Sequence, residues 1–415
     1  MLEHMLKTLK FNTLTPIQEQ MFKALDDPRH IVGLAPTGTG KTYAYLLPIL
    51  SKIDMNLKAV QAVILVPTNE LVIQVSAMLK AVQLEALSYK SYYGSMDMQK
   101  EVTWLSKNQP SLVITTPSKL FELVRTNQAL KIHEAKYLVL DEADMLFDDE
   151  FLSLIDGTLS SLQESKILLF SATITKAMTP FINKYFGTYL LIDTTKDHHL
   201  KIEYLLVKEG YDRKETLIDI TKVIQPYLAL IFVSKKENAK ALFEALSEQN
   251  LNICYFSSDL NVKQRKKLLE NIHDNVYQYV IASDLMARGI DFKASHVIQY
   301  DLPYELDFFF HRAGRTGRMN DTGTVITLFG ERDRSKLDKI KNRGIEFKMA
   351  QVTKDGLTVI VKKRASFTEE EAAKIKKIKT STKVTPNYKK KHQALVKEQV
   401  KKIKRSKYIR GTKNR

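Results

Sequence analysis

At 415 residues the chain is longer than one ordinary domain, and at ~100–200 residues per domain it should hold two or three. Its 44% apolar content is enough for packed cores and excludes a chain disordered throughout. The net charge of +17 points to a polyanionic partner, yet +16 of it lies in residues 372–415, where 17 Lys and Arg face the single acid Glu398, so the rest is nearly neutral.

The N-terminal segment MLEHMLKTLK lacks the long apolar core of a secretion signal. No apolar run along the chain approaches the roughly 18 residues needed to cross a bilayer. A soluble, cytoplasmic protein with no membrane partner is therefore expected. Short apolar runs then alternate with segments of helical period, the mark of parallel-sheet α/β architecture. In the first half, strands are predicted at residues 30–35, 62–66, 112–115, 137–140 and 167–170, with helices at 42–53, 71–82 and 118–125 between them. In the segment 71–82, Leu71, Val75, Met78, Leu79 and Val82 share one helical face. The alternation pauses after Leu191 and Ile192, and the polar stretch 193–199 (DTTKDHH) reads as a linker. A second series predicts strands at 202–207, 228–233, 253–256, 279–282, 296–300 and 324–329. Within it lies Cys254, the only cysteine, which excludes an internal disulfide framework and reads as a small buried apolar residue. The series weakens after Val361, and the basic remainder is too poor in large apolar side chains to form a core of its own.

Residues 35–42 read APTGTGKT, a phosphate-binding loop once Ala35 is allowed at its first position. It follows the run HIVGLA and precedes the helical TYAYLLPIL, where such a loop must sit; a chance glycine turn would not hold all three in register. Gly38 and Gly40 let successive backbone amides turn towards phosphate oxygens, and the helix N-terminus adds its dipole. Lys41 supplies a full charge to the β and γ phosphates, and the Thr42 hydroxyl can ligate Mg²⁺. Residues 141–144 (DEAD) follow the run YLVL, so Asp141 stands at a strand's C-terminal end, where open α/β sheets bind ligands. Asp141 suits Mg²⁺ held partly through water, and Glu142 can orient and deprotonate an attacking water. Residues 311–318 (HRAGRTGR) carry three arginines and two glycines, suited to a triphosphate approached closely by backbone. If both motifs touch one nucleotide, it lies between the two series, and Arg315 and Arg318 act as arginine fingers from across the gap.

Taken in order, FNTLTPIQ (11–18), APTGTGKT (35–42), PTNEL (67–71), TPSKL (116–120), DEAD (141–144), SAT (171–173), IASDLMARGID (281–291) and HRAGRTGR (311–318) resemble the DEAD-box branch of the superfamily 2 RNA helicases. The resemblance spans residues 11 to 329 and is closest to compact bacterial members. It implies two tandem RecA-like domains, at 1–192 and 201–361, joined by a linker at 193–200 and followed by a basic RNA-binding tail at 362–415. It also implies an ATP site built from Phe11, Thr15, Gln18, Ala35, Pro36, Thr37, Gly38, Thr39, Gly40, Lys41, Thr42, Gly289, Asp291 and His311. There Gln18 and Thr15 would read the adenine edge, and Asp291 would contact the ribose or γ-phosphate region. Lys41, Asp141, Glu142, Arg315 and Arg318 would be catalytic, with Mg²⁺ at Thr42 and Asp141. Ser171 and Thr173 would couple the DEAD segment to domain closure.

On the same resemblance, RNA would contact Thr68, Gly94, Thr116 and Lys119 in the first domain, and Arg265 and Ser283 in the second, near Arg288. Such hydroxyls, amides and cations meet phosphate and ribose, so sequence-tolerant binding of single strands and short duplexes follows. The chain departs from the family at Asn69 and Lys119, where arginines are usual, at Val262 in place of a glutamine, and at Ser95 in place of a second glycine. These changes thin the RNA contacts and leave the ATP chemistry untouched. The family's upstream adenine-stacking aromatic falls on Met1, which implies an incomplete start or weakened stacking. The basic tail is expected to anchor structured RNA in a salt-sensitive way. The expected function is ATP-driven local unwinding or remodelling of RNA and ribonucleoproteins, with ribosomal precursors or RNA-decay proteins as the partners the family suggests. The alternatives are an ATP-gated RNA clamp or annealing chaperone, and a DNA translocase on the same fold.

Overall fold

The computed structural model describes residues 2–94, 96–147, 149–159, 161–162, 164–195, 201–257, 259–283, 294–317 and 322–360, with residues 394–396, 398, 399 and 402 near the C-terminus. Residues Met1–Val359 form one compact unit, and Ile360–Arg415 form a second.

The first unit contains two sheets. One is built from β1 (His30–Leu34), β2 (Ala62–Leu65), β3 (Tyr89–Tyr92), β4 (Leu112–Thr115), β5 (Tyr137–Leu140), β6 (Lys166–Ser171) and β7 (Tyr189–Asp193), in the order β3-β4-β2-β5-β6-β1-β7. All its pairings are parallel. The other holds β8 (Ile202–Lys208), β9 (Ala229–Phe232), β10 (Ile253–Phe256), β11 (Tyr279–Ala282), β12 (His296–Gln299), β13 (Gly323–Phe329), β14 (Phe347–Thr353) and β15 (Gly356–Val359), in the order β10-β11-β9-β12-β13-β8-β14-β15. Here only β14 and β15 pair antiparallel.

The continuous apolar runs have a simple cause: both faces of each sheet are covered by helices. Alternate residues of the first sheet feed two separate cores. Ile31, Ile64, Ile114, Val139 and Leu168 pack on one face, and Val32, Val63, Val113, Leu138 and Leu169 on the other. The second sheet repeats the pattern, with Ile231, Ile281, Ile298 and Ile326 on one side and Leu230, Val280, Val297 and Val325 on the other. Cys254 is buried in the latter core, as the sequence suggests, and burial pushes its thiol up to about 12.

The predicted strands stand within a residue or two of the observed ones. Four were not anticipated: β3, β7, β14 and β15. In β3 (YKSY) and β14 (FKMAQVT) polar residues interrupt the run, because only part of each strand faces a core. The helix expected at 118–125 is instead the helix Pro117–Phe121 running on into a π-helical turn at Glu122–Thr126. Among the described residues no helix is long and apolar enough to cross a membrane.

Candidate nucleotide and RNA site

The first sheet divides its C-terminal edge between two groups of loops. The phosphate loop follows β1, Asp141 follows β5 and Ser171 ends β6; in the sheet order β5-β6-β1 these strands are neighbours. Thr68, Gly94 and Thr116 follow β2, β3 and β4, also mutual neighbours. The candidate nucleotide residues thus gather at one half of the edge and the candidate RNA residues at the other.

Within the phosphate loop, Gly38 and Gly40 take left-handed backbone at φ 83° and 89°. A Cβ on Gly40 would lie 2.5 Å from Gln18 Nε2, so the second glycine is required by space as well as by conformation. Lys41 is buried, its Nζ donating to Ala35 O at 3.0 Å and standing 3.8 Å from Glu142. Thr39 Oγ1 closes the loop onto Pro36 O at 2.8 Å. Gln18 is also buried: its Oε1 accepts from Thr15 N at 3.0 Å and its Nε2 donates to Gly40 O at 3.2 Å. The helix Pro16–Ala24 is thereby tied to the phosphate loop. The Thr15 hydroxyl is buried without a hydrogen-bond partner. Phe11 meets Tyr43 edge-on at 5.2 Å.

Asp141 is 2% exposed, and its two oxygens accept from Glu142 N at 2.9 Å and Tyr45 Oη at 2.8 Å. Burial, together with the neighbouring Glu142 charge, pushes its carboxyl up to about 6. Glu142 adopts φ 48°, rare for a residue with a side chain, and its Oε2 is buried without a partner. Asp144 is the most tightly held of the three acids. It accepts from Ser171 Oγ at 2.6 Å and pairs with His311 Nε2 at 2.6 Å, so the DEAD segment, the SAT segment and the second sheet's HRAGRTGR segment meet at one carboxylate. Burial works against its charge, but the charge and hydrogen bond of His311, aided by Ser171, hold it well below the usual carboxylate range. Thr173 N donates to Ser171 Oγ at 3.2 Å, while the Thr173 hydroxyl is a buried atom without a partner.

A cavity of about 420 Å³ lies between the two sheets. It is lined by Phe11, Gln18, Thr37, Gly38, Gly40, Lys41, Thr42, Asp141 and Glu142 on one side and by Arg315, Thr316 and Gly317 on the other. Arg315 is buried, which lowers its pKa, while the Glu142 charge acts in the opposite direction. Gly314 abuts the phosphate loop so closely that a Cβ there would overlap the Thr37 hydroxyl. Thr15, Ala35, Pro36, Thr39 and His311 support the cavity from outside its lining. Arg318, Gly289, Asp291 and Arg288 lie outside the described residues. Arg312, the first arginine of its segment, is instead structural: it is buried over the Phe232 ring and donates to Asp301 O at 2.7 Å and Ser234 Oγ at 3.0 Å.

For Mg²⁺ the donors suit the ion. Among the described residues no cluster of three or more His, Cys, Asp or Glu side chains could hold a metal. Mg²⁺ asks for less, one or two protein oxygens completed by phosphate and water, and Asp141 and Thr42 offer that on the lip of the cavity.

On the RNA half, Thr68 caps the helix Asn69–Ala81, accepting from Leu71 N at 3.3 Å, and Thr116 occupies the corresponding N-cap position of Pro117–Phe121. Asn69, a departure from the family, has a structural use: its Oδ1 accepts from Gly94 N at 3.0 Å and fixes that loop. Lys119 pairs with Glu122 at 2.7 Å. Arg265 is ion-paired with Glu70, joining the two halves of the unit. Ser283 follows β11 and is half-buried. Sequence reasoning gave no functional role to Tyr43, Tyr45, Glu70, Gln74, Met78, Tyr227 or Ser295. The first five sit in helices whose apolar period reads only as core, and the last two precede strands of the second sheet with no motif to mark them.

Comparison with known proteins finds family matches on both halves of the chain. Residues 15–181 match the DEAD/DEAH box helicase family model, and residues 212–320 match the helicase conserved C-terminal domain. The chain is 38% identical over 398 residues to the DEAD-box ATP-dependent RNA helicase CshB of Bacillus subtilis, covering 92% of this chain and 90% of that one. It is 36% identical to the CshB of Staphylococcus aureus, covering 84% and 79%. Among solved structures it is similar to Mss116p lacking its NTE and C-tail and bound to ssRNA and AMP-PNP, at 25% identity and a TM-score of 0.75, over 84% of this chain and 76% of that one.

Proposed function

The chain belongs to the DEAD-box family of ATP-dependent RNA helicases, and from that premise we propose that it hydrolyses ATP in the cavity between its two sheets to separate or remodel short stretches of RNA. The observation that carries this reading is the single cavity lined at once by Lys41, Asp141 and Glu142 from the first sheet and by Arg315 from the second. Residues 1–192 and 201–361 act as two domains about the linker 193–200, and 362–415 serve as the basic tail.

In this reading Gln18 reads the adenine, and the backbone from Ala35 to Thr42 wraps the phosphates. Lys41 leaves its contact with Ala35 O to neutralise the β and γ phosphates. Asp141 and Thr42 hold Mg²⁺, which when bound offsets phosphate charge. The partnerless Glu142 Oε2 is available to accept a proton from water, so Glu142 orients and activates the nucleophile. Arg315 and Arg318 stabilise the transferring phosphoryl group. RNA lies across Thr68, Gly94, Thr116, Lys119, Arg265 and Ser283. Because Arg265 and Lys119 already pair with carboxylates, RNA phosphate must displace Glu70 and Glu122 from them. A cytoplasmic location is part of the same proposal.

The test compares ATPase and strand-separation rates on RNA and DNA duplexes for the parent protein and Glu142→Gln. The variant should still bind ATP and RNA but lose turnover by at least a hundredfold. RNA-stimulated turnover without strand separation would favour an ATP-gated clamp, and stimulation by DNA would defeat the proposal.

A further inference from the structure

We infer that Tyr45 is a positioning residue for the metal end of the nucleotide site, its hydroxyl holding Asp141 in the rotamer that faces the phosphates. This rests on the function proposed above, in which Asp141 and Thr42 carry Mg²⁺.

Tyr45 lies on the helix Lys41–Lys52, one turn beyond the phosphate loop. Its ring is wholly buried and packs on Phe170 of β6 at 5.3 Å, so it has little freedom to swing. From that fixed base the Oη donates to Asp141 Oδ2 at 2.8 Å, across 96 residues of sequence. Thr42, the other residue assigned to the ion, lies three residues earlier on the same helix. One buried phenol therefore bonds one residue assigned to the ion, shares a helix with the other, and lies outside the cavity lining itself.

The carboxylate needs such a restraint. Among the described residues its other oxygen accepts only from the Glu142 amide, whose backbone is in the uncommon left-handed region. A buried hydroxyl that donates to a charged oxygen forms one of the stronger hydrogen bonds available. Each carboxylate oxygen keeps a second lone pair for a metal-bound water, so the Tyr45 contact orients Asp141 without blocking it. Partners behind a metal's own ligands tune affinity in this way. The sequence alone gives no hint of the role, because a tyrosine in TYAYLLPIL reads as one more apolar position of a core helix.

Tyr45→Phe removes the hydroxyl and keeps the ring. Binding of a fluorescent ADP analogue is titrated at rising Mg²⁺ and, separately, in excess EDTA. The Mg²⁺ concentration giving half-maximal tightening should rise on the order of tenfold in the variant, while the affinity in EDTA stays at the parent's value, which also reports an intact pocket. In an Asp141→Ala background Tyr45→Phe should have no further effect on Mg²⁺ dependence. An unchanged Mg²⁺ midpoint in Tyr45→Phe would overturn the inference, as would an equal loss of affinity with and without metal. If the parent itself bound no adenine nucleotide, or Lys41→Ala bound it as well as the parent, the proposed function would fail instead.

Discussion

Asp144 shows how much one side chain can be asked to do. It is the last letter of the DEAD segment, yet it is not part of the lining of the nucleotide cavity; it bonds Ser171 and His311 instead. Removing His311 leaves a buried carboxylate with half its partners, a loss of about 3 kcal/mol when one member of a buried pair goes. Because His311 belongs to the second sheet's half, that cost falls on bringing the halves together. We therefore expect His311→Ala to lower RNA-stimulated ATPase roughly a hundredfold, measured at saturating ATP, with little change in RNA-free nucleotide binding. The motif made His311 visible in the sequence, but its partner was not, since nothing in the order of residues says which acid it meets. The same limit hid Tyr45, and it hid the contrast between Arg312, which is structural, and Arg315, which lines the cavity. Cys254 is the opposite case: its run NICYF already implied burial. Its thiol should resist alkylation in the native protein and react at once in denaturant, which a mass shift would report.

Elements were more legible than contacts. A strand covered on both faces must be apolar throughout, and a helix covered on one face must repeat with a period near 3.6, so the inner strands and main helices could be read with small boundary errors. What failed was the margin of the sheets, where β3 and β14 meet a core along only part of their length and carry lysines. Close approach was equally unreadable. Gly314 looks like any glycine of its motif until it is seen against Thr37. Gly314→Ala should leave ATP binding intact without RNA and lower RNA-stimulated turnover at least tenfold, because the methyl would overlap Thr37 where the two halves meet. Two strand-end histidines give the fold a pH dependence. His30 Nδ1 accepts from Ile167 N at 3.0 Å, which requires the neutral ring, and burial lowers its pKa below 6.5; His296 is lowered by burial as well. The unfolded chain therefore binds protons at a higher pH than the folded one, so stability is full above about 6.5 and declines as pH falls below it. The thermal midpoint should drop between pH 7.5 and 5.5, and His30→Asn, whose amide oxygen can replace Nδ1, should flatten that slope.

For the molecule as a whole, the charge separation seen in the composition predicts a division of labour. Residues 1–359 carry the cavity and both sheets, while nearly all the excess positive charge lies beyond them. Deleting residues 372–415 should raise the KM for RNA in the ATPase assay and make it less sensitive to salt, with kcat at saturating RNA nearly unchanged. Equal RNA dependence with and without the tail would remove it from the mechanism. Because the cavity is lined from both halves and the proposed RNA residues also lie on both, ATP and RNA are expected to favour each other's binding, and by the same factor. A titration of ATP affinity with and without RNA measures that factor from one side.

In the proposed nucleotide site, the anchoring of Gln18 carries a consequence for which base is accepted. Its amide oxygen is committed to Thr15 and one amide hydrogen to Gly40, so the group cannot be turned over without breaking both bonds. What remains towards the cavity is one hydrogen to give and one lone pair to accept, the complement of adenine's N7 and N6 amino group. Guanine offers two acceptors at the same edge. Whichever way the amide is turned it has only one hydrogen left to give, so guanine leaves an acceptor facing the amide's lone pair at a cost of about 2 kcal/mol, and discrimination against GTP of roughly thirtyfold is expected in a competition titration.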